Sequence, residues 1–411
     1  MAEQRSTFSL SLSDLTEVIV LPAKGSDVVI EVPDSYLVDK RFSLPGVEGL
    51  AIQRLITLAH EAASLKFVWH AAAAHRLLDS PAVNPLAAVA LCLNNARHDT
   101  NTGSKLAPAT LGRARKKLLE HQLTADLFTQ SQLVVCLDFE RPSLPDDLYD
   151  PSTRTLRPEV DFQSLVDDLI YGQHGAGFKA EKLSSLRVAL AVILRELLEN
   201  TDDHAKSDSE GQELKPNSVR GLLVKRIEQK RSLPKPGAVD LPPIPCLEFT
   251  IFDSGIGYFN SYRRQLLKGQ ARGEPVSVGN KQADQVRNFE LGEAVSVETE
   301  YAIVLKCLRR HSENGKEIPD ARPGHRGMGL YEVLRALKMM QGMFEVRTGR
   351  VHGYRSFLDG EIRIQLEPDS SEKRPGMPKV SLLDVDRKVV FFPAPREMVR
   401  GSVVRVVVPL A

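Results

Sequence analysis

The stretch from Leu183 to Ala205 constrains this chain most. Between Val188 and Leu194 it is apolar nearly all round a helix, so other layers of the protein must cover most of its faces. It then turns polar, as Glu196 to Ala205 (ELLENTDDHA). At about 100° per residue, Glu196, Asn200, Asp203 and His204 line one stripe of that helix. Burying such a group without a partner costs about 1–3 kcal/mol, so something must satisfy the stripe, and a ligand carrying a cation would do so.

Two other segments suit the same ligand. Leu247 to Phe252 (LEFTIF) reads as a strand and runs directly into Asp253 to Gly257 (DSGIG). A strand-end carboxylate can accept from an exocyclic amine, and alternate glycines let backbone approach a flat ring. Gly324 to Leu330 (GHRGMGL) is a glycine-rich turn that opens a helix, where free amides and the helix dipole favour phosphate. Acid and amide on a buried helix, a strand-end aspartate and a glycine-rich helix start together describe an adenine nucleotide with its magnesium.

The order and content of these segments resemble the GHKL superfamily of gyrase, the ninety-kilodalton heat-shock chaperone, histidine kinases and MutL. ELLENTDDHA resembles its N-box, DSGIG its G1 box and GHRGMGL its G2 box, while Gly401 to Pro409 (GSVVRVVVP) is similar to its sheet-closing strand. The resemblance implies a Bergerat-type two-layer α/β sandwich with a mixed sheet over residues 159–411, with a lid over 258–324. It also implies ATP and Mg2+ as ligands. Asn200 would hold the magnesium, Glu196 would be the general base on water, and Asp203 falls where related branches carry an aspartate. Asp253 would read the adenine amine, Gly255 and Gly257 would make room for the base, and Ser402 would help fix it. Arg326, Gly327, Met328 and Gly329 would meet the phosphates, with His204 as a packing or phosphate-side residue. An ATPase acting as a conformational switch is the leading expectation. A histidine or anti-sigma serine kinase, and a non-hydrolysing ATP sensor or scaffold, are the alternatives.

The rest of the sequence frames that reading. A length of 411 residues suggests two domains, and 54 basic against 53 acidic residues exclude a whole-chain polybasic nucleic-acid binder. Residues 1–150 read as a smaller α/β module of unknown role. Its strands are expected at Ser26 to Val32, Lys66 to Trp69 and Gln132 to Phe139, with helical period over Val47 to Ala63. Ser143 to Pro158 reads as a linker. The apolar runs are too short to cross a membrane and the start lacks a signal-peptide core, so a cytoplasmic location is expected. Cys92, Cys136, Cys246 and Cys307 have no metal-site spacing and read as small apolar residues. A protein partner or a homodimer is expected. The basic turn Arg113, Arg115, Lys116 and Lys117 is the one stretch suited to nucleic acid, although a solvated face is its ordinary meaning. His60 is the only histidine with a neighbourhood suggestive of a phosphoacceptor, and no heptad pattern surrounds it.

Overall fold

The computed structural model describes residues 5–9, 24–34, 46–79, 84–93, 95–120, 131–138, 144–174, 180–206, 218–231, 241–271, 295–308, 329–357 and 397–410. Two β-sheets organise them. The β-branched runs near the start form a four-stranded parallel sheet in the order β1 (Arg5–Ser9), β2 (Asp27–Val32), β3 (Ser64–Trp69), β4 (Ala96–Thr100). Parallel neighbours need crossovers, and helices supply them. Helix α1 (Val47–Glu61) joins β2 to β3, while α2 (Ala71–Asp79) and α3 (Pro85–Cys92) join β3 to β4. Helix α3 starts where Asn84 accepts from the amides of Leu86 and Ala87, with Pro85 at the first helical position. Helix α4 (Pro108–Glu120) follows β4 and exposes Arg113, Lys116 and Lys117 to solvent.

The second sheet has six strands, in the order β5 (Ser131–Leu137), β6 (Val219–Arg231), β7 (Leu241–Asp253), β10 (Val399–Pro409), β8 (Met343–Gly349), β9 (Val351–Ser356). All five pairings are antiparallel, which corrects the expected mixed sheet. The reason is topological. The connection from β7 to β8 passes through α7 (Gly257–Ala271), α8 (Val297–Cys307) and α9 (Gly329–Met339), which leaves β7 and β8 running the same way. The final strand β10 then fills the gap between them, antiparallel to both.

Strand β5, expected in the first module, pairs instead with β6 from Ser131↔Lys225 to Leu137↔Val219. The expected linker is also structured. Tyr149 and Leu156 form a β-bridge, and Leu148 and Tyr149 are buried against the second sheet. The segment expected as a lid begins with α7 as well as holding the anticipated helix α8. These two meet through Phe259 and Ile303, joined by Val295 just before α8.

Strand alternation sends one set of side chains to each face of this sheet. Leu222, Phe249, Ile251, Val404 and Val406 pack beneath α5 (Glu159–His174), α6 (Ala180–His204) and α9. Leu133, Val135, Leu223, Phe252 and Val403 join the core of the four-stranded sheet, so α1 and α3 lie between the two sheets. Within the apolar stretch of α6, Leu190, Ala191, Ile193 and Leu194 are buried among α5, α9 and the sheet, whereas Val188 at its start is 43% exposed, so the covering is less complete than the pattern suggested.

Candidate functional site

One transverse row of the second sheet gathers the site. Arg220 on β6 lies opposite Asp253 on β7, Asp253 opposite Ser402 on β10, and Ser402 opposite Thr348 on β8. All stand at one end of the sheet, where β7 and β8 finish and β10 begins. The last turn of α6 overhangs that end. Between helix and sheet lies a small cleft lined by Leu197, Asn200, Thr201, His204, Ile251, Asp253, Gly257, Tyr258, Ser261, Ser402 and Val404. Asn200, His204, Asp253, Gly257 and Ser402, widely separated in sequence, therefore line one cleft.

Asp253 is the pivot. Its Oδ1 accepts from the Gly255 amide at 2.8 Å, closing a tight turn, and the Ser402 amide also donates to the carboxylate. Burial pushes its carboxyl up to about 6, while those two amides and the Arg220 charge pull the other way. The glycines serve the protein's own packing more directly than a ligand. A Cβ on Gly255 would lie 2.6 Å from Ala205 Cα, and one on Gly257, at φ 75°, would lie 2.6 Å from Thr348 Oγ1. The Asp253 to Gly257 turn is thereby pressed between the end of α6 and strand β8. Thr348 Oγ1 accepts from the Tyr258 amide at 3.1 Å and lies 3.3 Å from Ser402 Oγ.

Asn200 is half-buried, and its Nδ2 donates to the Glu196 carbonyl at 2.9 Å. That bond uses the amide nitrogen and leaves Oδ1 as the atom a magnesium would use. Among the described residues no group of three His, Cys, Asp or Glu could hold a metal. A cation here would therefore rest on Asn200 and on the ligand's own oxygens, which suits magnesium carried by phosphates. Glu196 does not line the cleft. Its carboxylate lies 3.7 Å from Arg195, whose guanidinium also holds Glu199 at 3.1 Å. Asp203 is exposed and likewise outside the lining. Arg326, Gly327 and Met328 lie outside the described residues, and Gly329 is the first residue of α9. Helix α9 packs on α6 and is joined to β8 by a short turn in which the Gly342 amide donates to the Leu337 carbonyl at 2.8 Å. His60 lies half-buried in the last turn of α1.

Comparison with family models, curated proteins and solved structures gives no match.

Several contributors carry no motif. Arg220 is buried and forks onto Asp138, with Nη2 at 2.7 Å, and onto Asp202 of α6 at 2.8 Å. It also donates to the Tyr149 hydroxyl, which donates in turn to Asp202 at 3.0 Å. Lys206 adds a second cation to Asp202 at 2.6 Å. This network fixes the end of α6 to the sheet, and with it the angle at which Asn200 and His204 face the cleft. Charge inside a strand was the available signal for Arg220. Thr201 was adjacent to residues already singled out, whereas nothing in its surroundings marked Thr348.

Proposed function

We propose that this chain binds Mg-ATP in the cleft between α6 and the second sheet and uses it as a conformational switch. The observation that carries the reading is the convergence of Asn200, His204, Asp253, Gly257 and Ser402 from four separate elements onto one cleft. The chemistry of the walls supports an adenine. Leu197, Ile251 and Val404 offer apolar surface to a flat ring, and the buried Asp253 carboxylate offers the one strong acceptor to an exocyclic amine. Asn200 Oδ1 would hold the magnesium. When bound, the metal would neutralise phosphate charge that backbone amides alone leave unbalanced, so a chain of net charge +1 needs no basic groove. The phosphates would run toward the start of α9, where the helix dipole favours them.

Glu196 stands one helical turn before Asn200 but its carboxylate lies outside the cleft beside Arg195, so acting as a base on water would require it to leave that ion pair. The test is equilibrium binding of ATP with and without magnesium to the wild type and to Asn200→Ala. Magnesium should tighten binding to the wild type and have little effect on the variant. Equal magnesium dependence in both would sink the metal assignment. An unchanged hydrolysis rate in Glu196→Ala would remove Glu196 as the base.

A further inference from the structure

Helix α1 belongs to the first sheet by connectivity, yet its polar side chains are spent on the second. The helix starts on a buried charge row that crosses the sheet. Gly46 donates its amide to the Glu248 carboxylate at 3.0 Å, and Glu48 meets Lys225 at 2.5 Å. Glu248 also takes Arg405 at 2.7 Å, which reaches Glu345 at 2.6 Å. Further along, three residues on one face of α1 hold the approach to the nucleotide cleft. Gln53 Nε2 donates to the carbonyl of Arg347, the residue before Thr348, at 3.0 Å. Arg54 pairs with Glu397 at 2.6 Å, just ahead of β10. Thr57 Oγ1 accepts from the Arg400 amide at 3.0 Å and donates to its own helix at Gln53 O, 2.7 Å away.

The third contact falls where the sheet is irregular. The β10–β8 register shifts between Val399 and Ser402, so Arg400 and Gly401 form a bulge immediately before a cleft residue. The Gly401 amide is taken by the Gly255 carbonyl at 2.9 Å, and the Arg400 amide by Thr57. The bulge that sets Ser402 against Asp253 and Thr348 is therefore closed on one side by the Asp253 to Gly257 turn and on the other by α1.

We propose that Thr57 is a positioning residue of the cleft, and that the N-terminal module acts on nucleotide binding through α1. The affinity part of this proposal rests on the nucleotide reading above; the mechanical part does not. Thr57 is 2% exposed, so its hydroxyl can be removed at nearly constant shape by Thr57→Val. Losing one buried hydrogen-bond acceptor should weaken ATP binding about 5- to 10-fold in the full chain. Thr57→Ser keeps the hydroxyl and should bind within about twofold of wild type. Leu55→Ala, in the same helix but turned into the core, should lower stability more than Thr57→Val while leaving affinity within about twofold. Amide hydrogen exchange without nucleotide gives an independent reading. Exchange over residues 399–403 should quicken about tenfold in Thr57→Val and stay unchanged in Thr57→Ser.

Wild-type affinity and wild-type exchange in Thr57→Val would overturn the proposal even if the wild type binds ATP well. An affinity loss in Leu55→Ala equal to that in Thr57→Val would overturn it too, by reducing the effect to stability. If the wild type binds no nucleotide, the functional reading falls, and the exchange result alone decides whether α1 holds the bulge.

Discussion

Gly401→Ala should be among the most damaging single-methyl additions in this protein. Gly401 has φ 71°, and a left-handed backbone costs an ordinary residue about 1–2 kcal/mol. Space is the larger problem. The added Cβ would sit 2.8 Å from the Asp253 carbonyl carbon and 3.2 Å from its Oδ1, and it would drive into the carbonyl oxygen. Relief requires β10 to move off β7. That movement breaks the Gly401 amide bond to Gly255 and the Ser402 amide bond to the Asp253 carboxylate, at about 1 kcal/mol each. The sum is about 3–4 kcal/mol. Gly103 supplies the internal control, since its φ is 85° but nothing lies within 4 Å of an added Cβ. Gly103→Ala should therefore cost only the backbone component, about 1–2 kcal/mol. Denaturant unfolding followed by far-ultraviolet circular dichroism compares the two, and ATP binding should be lost only in Gly401→Ala. If the two variants cost the same, the close approach of β10 to β7 at the cleft is wrong.

Three further expectations follow from the same geometry. The Asp253 carboxyl is raised from 3.8 to about 6, so the folded chain takes up its proton more readily than the unfolded one. This contribution to stability is fully present below the unfolded value and is lost as pH rises through about 6, a span of about 3 kcal/mol. Wild type should thus gain on Asp253→Asn between pH 7 and pH 4 in paired unfolding curves, and a drift the other way would contradict the burial of this group. Arg220→Met should destabilise by about 3–5 kcal/mol, because Asp138 and Asp202 lose the charge that pairs them, and Arg220→Lys should recover only part, lacking the fork; a neutral Arg220→Met would remove the proposed anchor of α6. Native alkylation should spare Cys92, Cys136 and Cys246, which are buried, with the Cys136 thiol pushed up to about 12 by burial, and any labelling should fall on half-buried Cys307. Rapid modification of Cys136 before unfolding would contradict the packing of β5.

The elements that declare themselves by their own local residue pattern were legible. SDVVIEV and KFVW declared strands through β-branched residues, LEFTIF ran into its glycine turn, and α6 announced its burial by the absence of a polar face. Pairing over long separations was not legible. Nothing in QLVVCLDF says that its partner is Val219 to Lys225 rather than the strands preceding it. The segment around Tyr149 is polar enough to read as a linker, yet one aromatic ring held by Arg220 and Asp202 fastens it to the core. Charged residues misled in a different way. Lys225, Glu248 and Arg405 alternate with apolar neighbours as on a half-exposed strand, but α1 covers that face and the charges neutralise one another in the interior. At the site, the cleft-facing side of α6 is the one that carries Leu197, Asn200, Thr201 and His204, and helical period already leaves Glu196 and Asp203 at its edge. The neighbours Arg195 and Glu199 decide where the Glu196 carboxylate goes.

Equilibrium binding of Mg-ATP to the full chain and to Asp253→Asn tests the central claim most directly. The account predicts saturable binding of one nucleotide per chain to the wild type and its loss in a variant whose circular dichroism is unchanged. Equal binding by the two proteins, or none by the wild type at millimolar nucleotide, would contradict it.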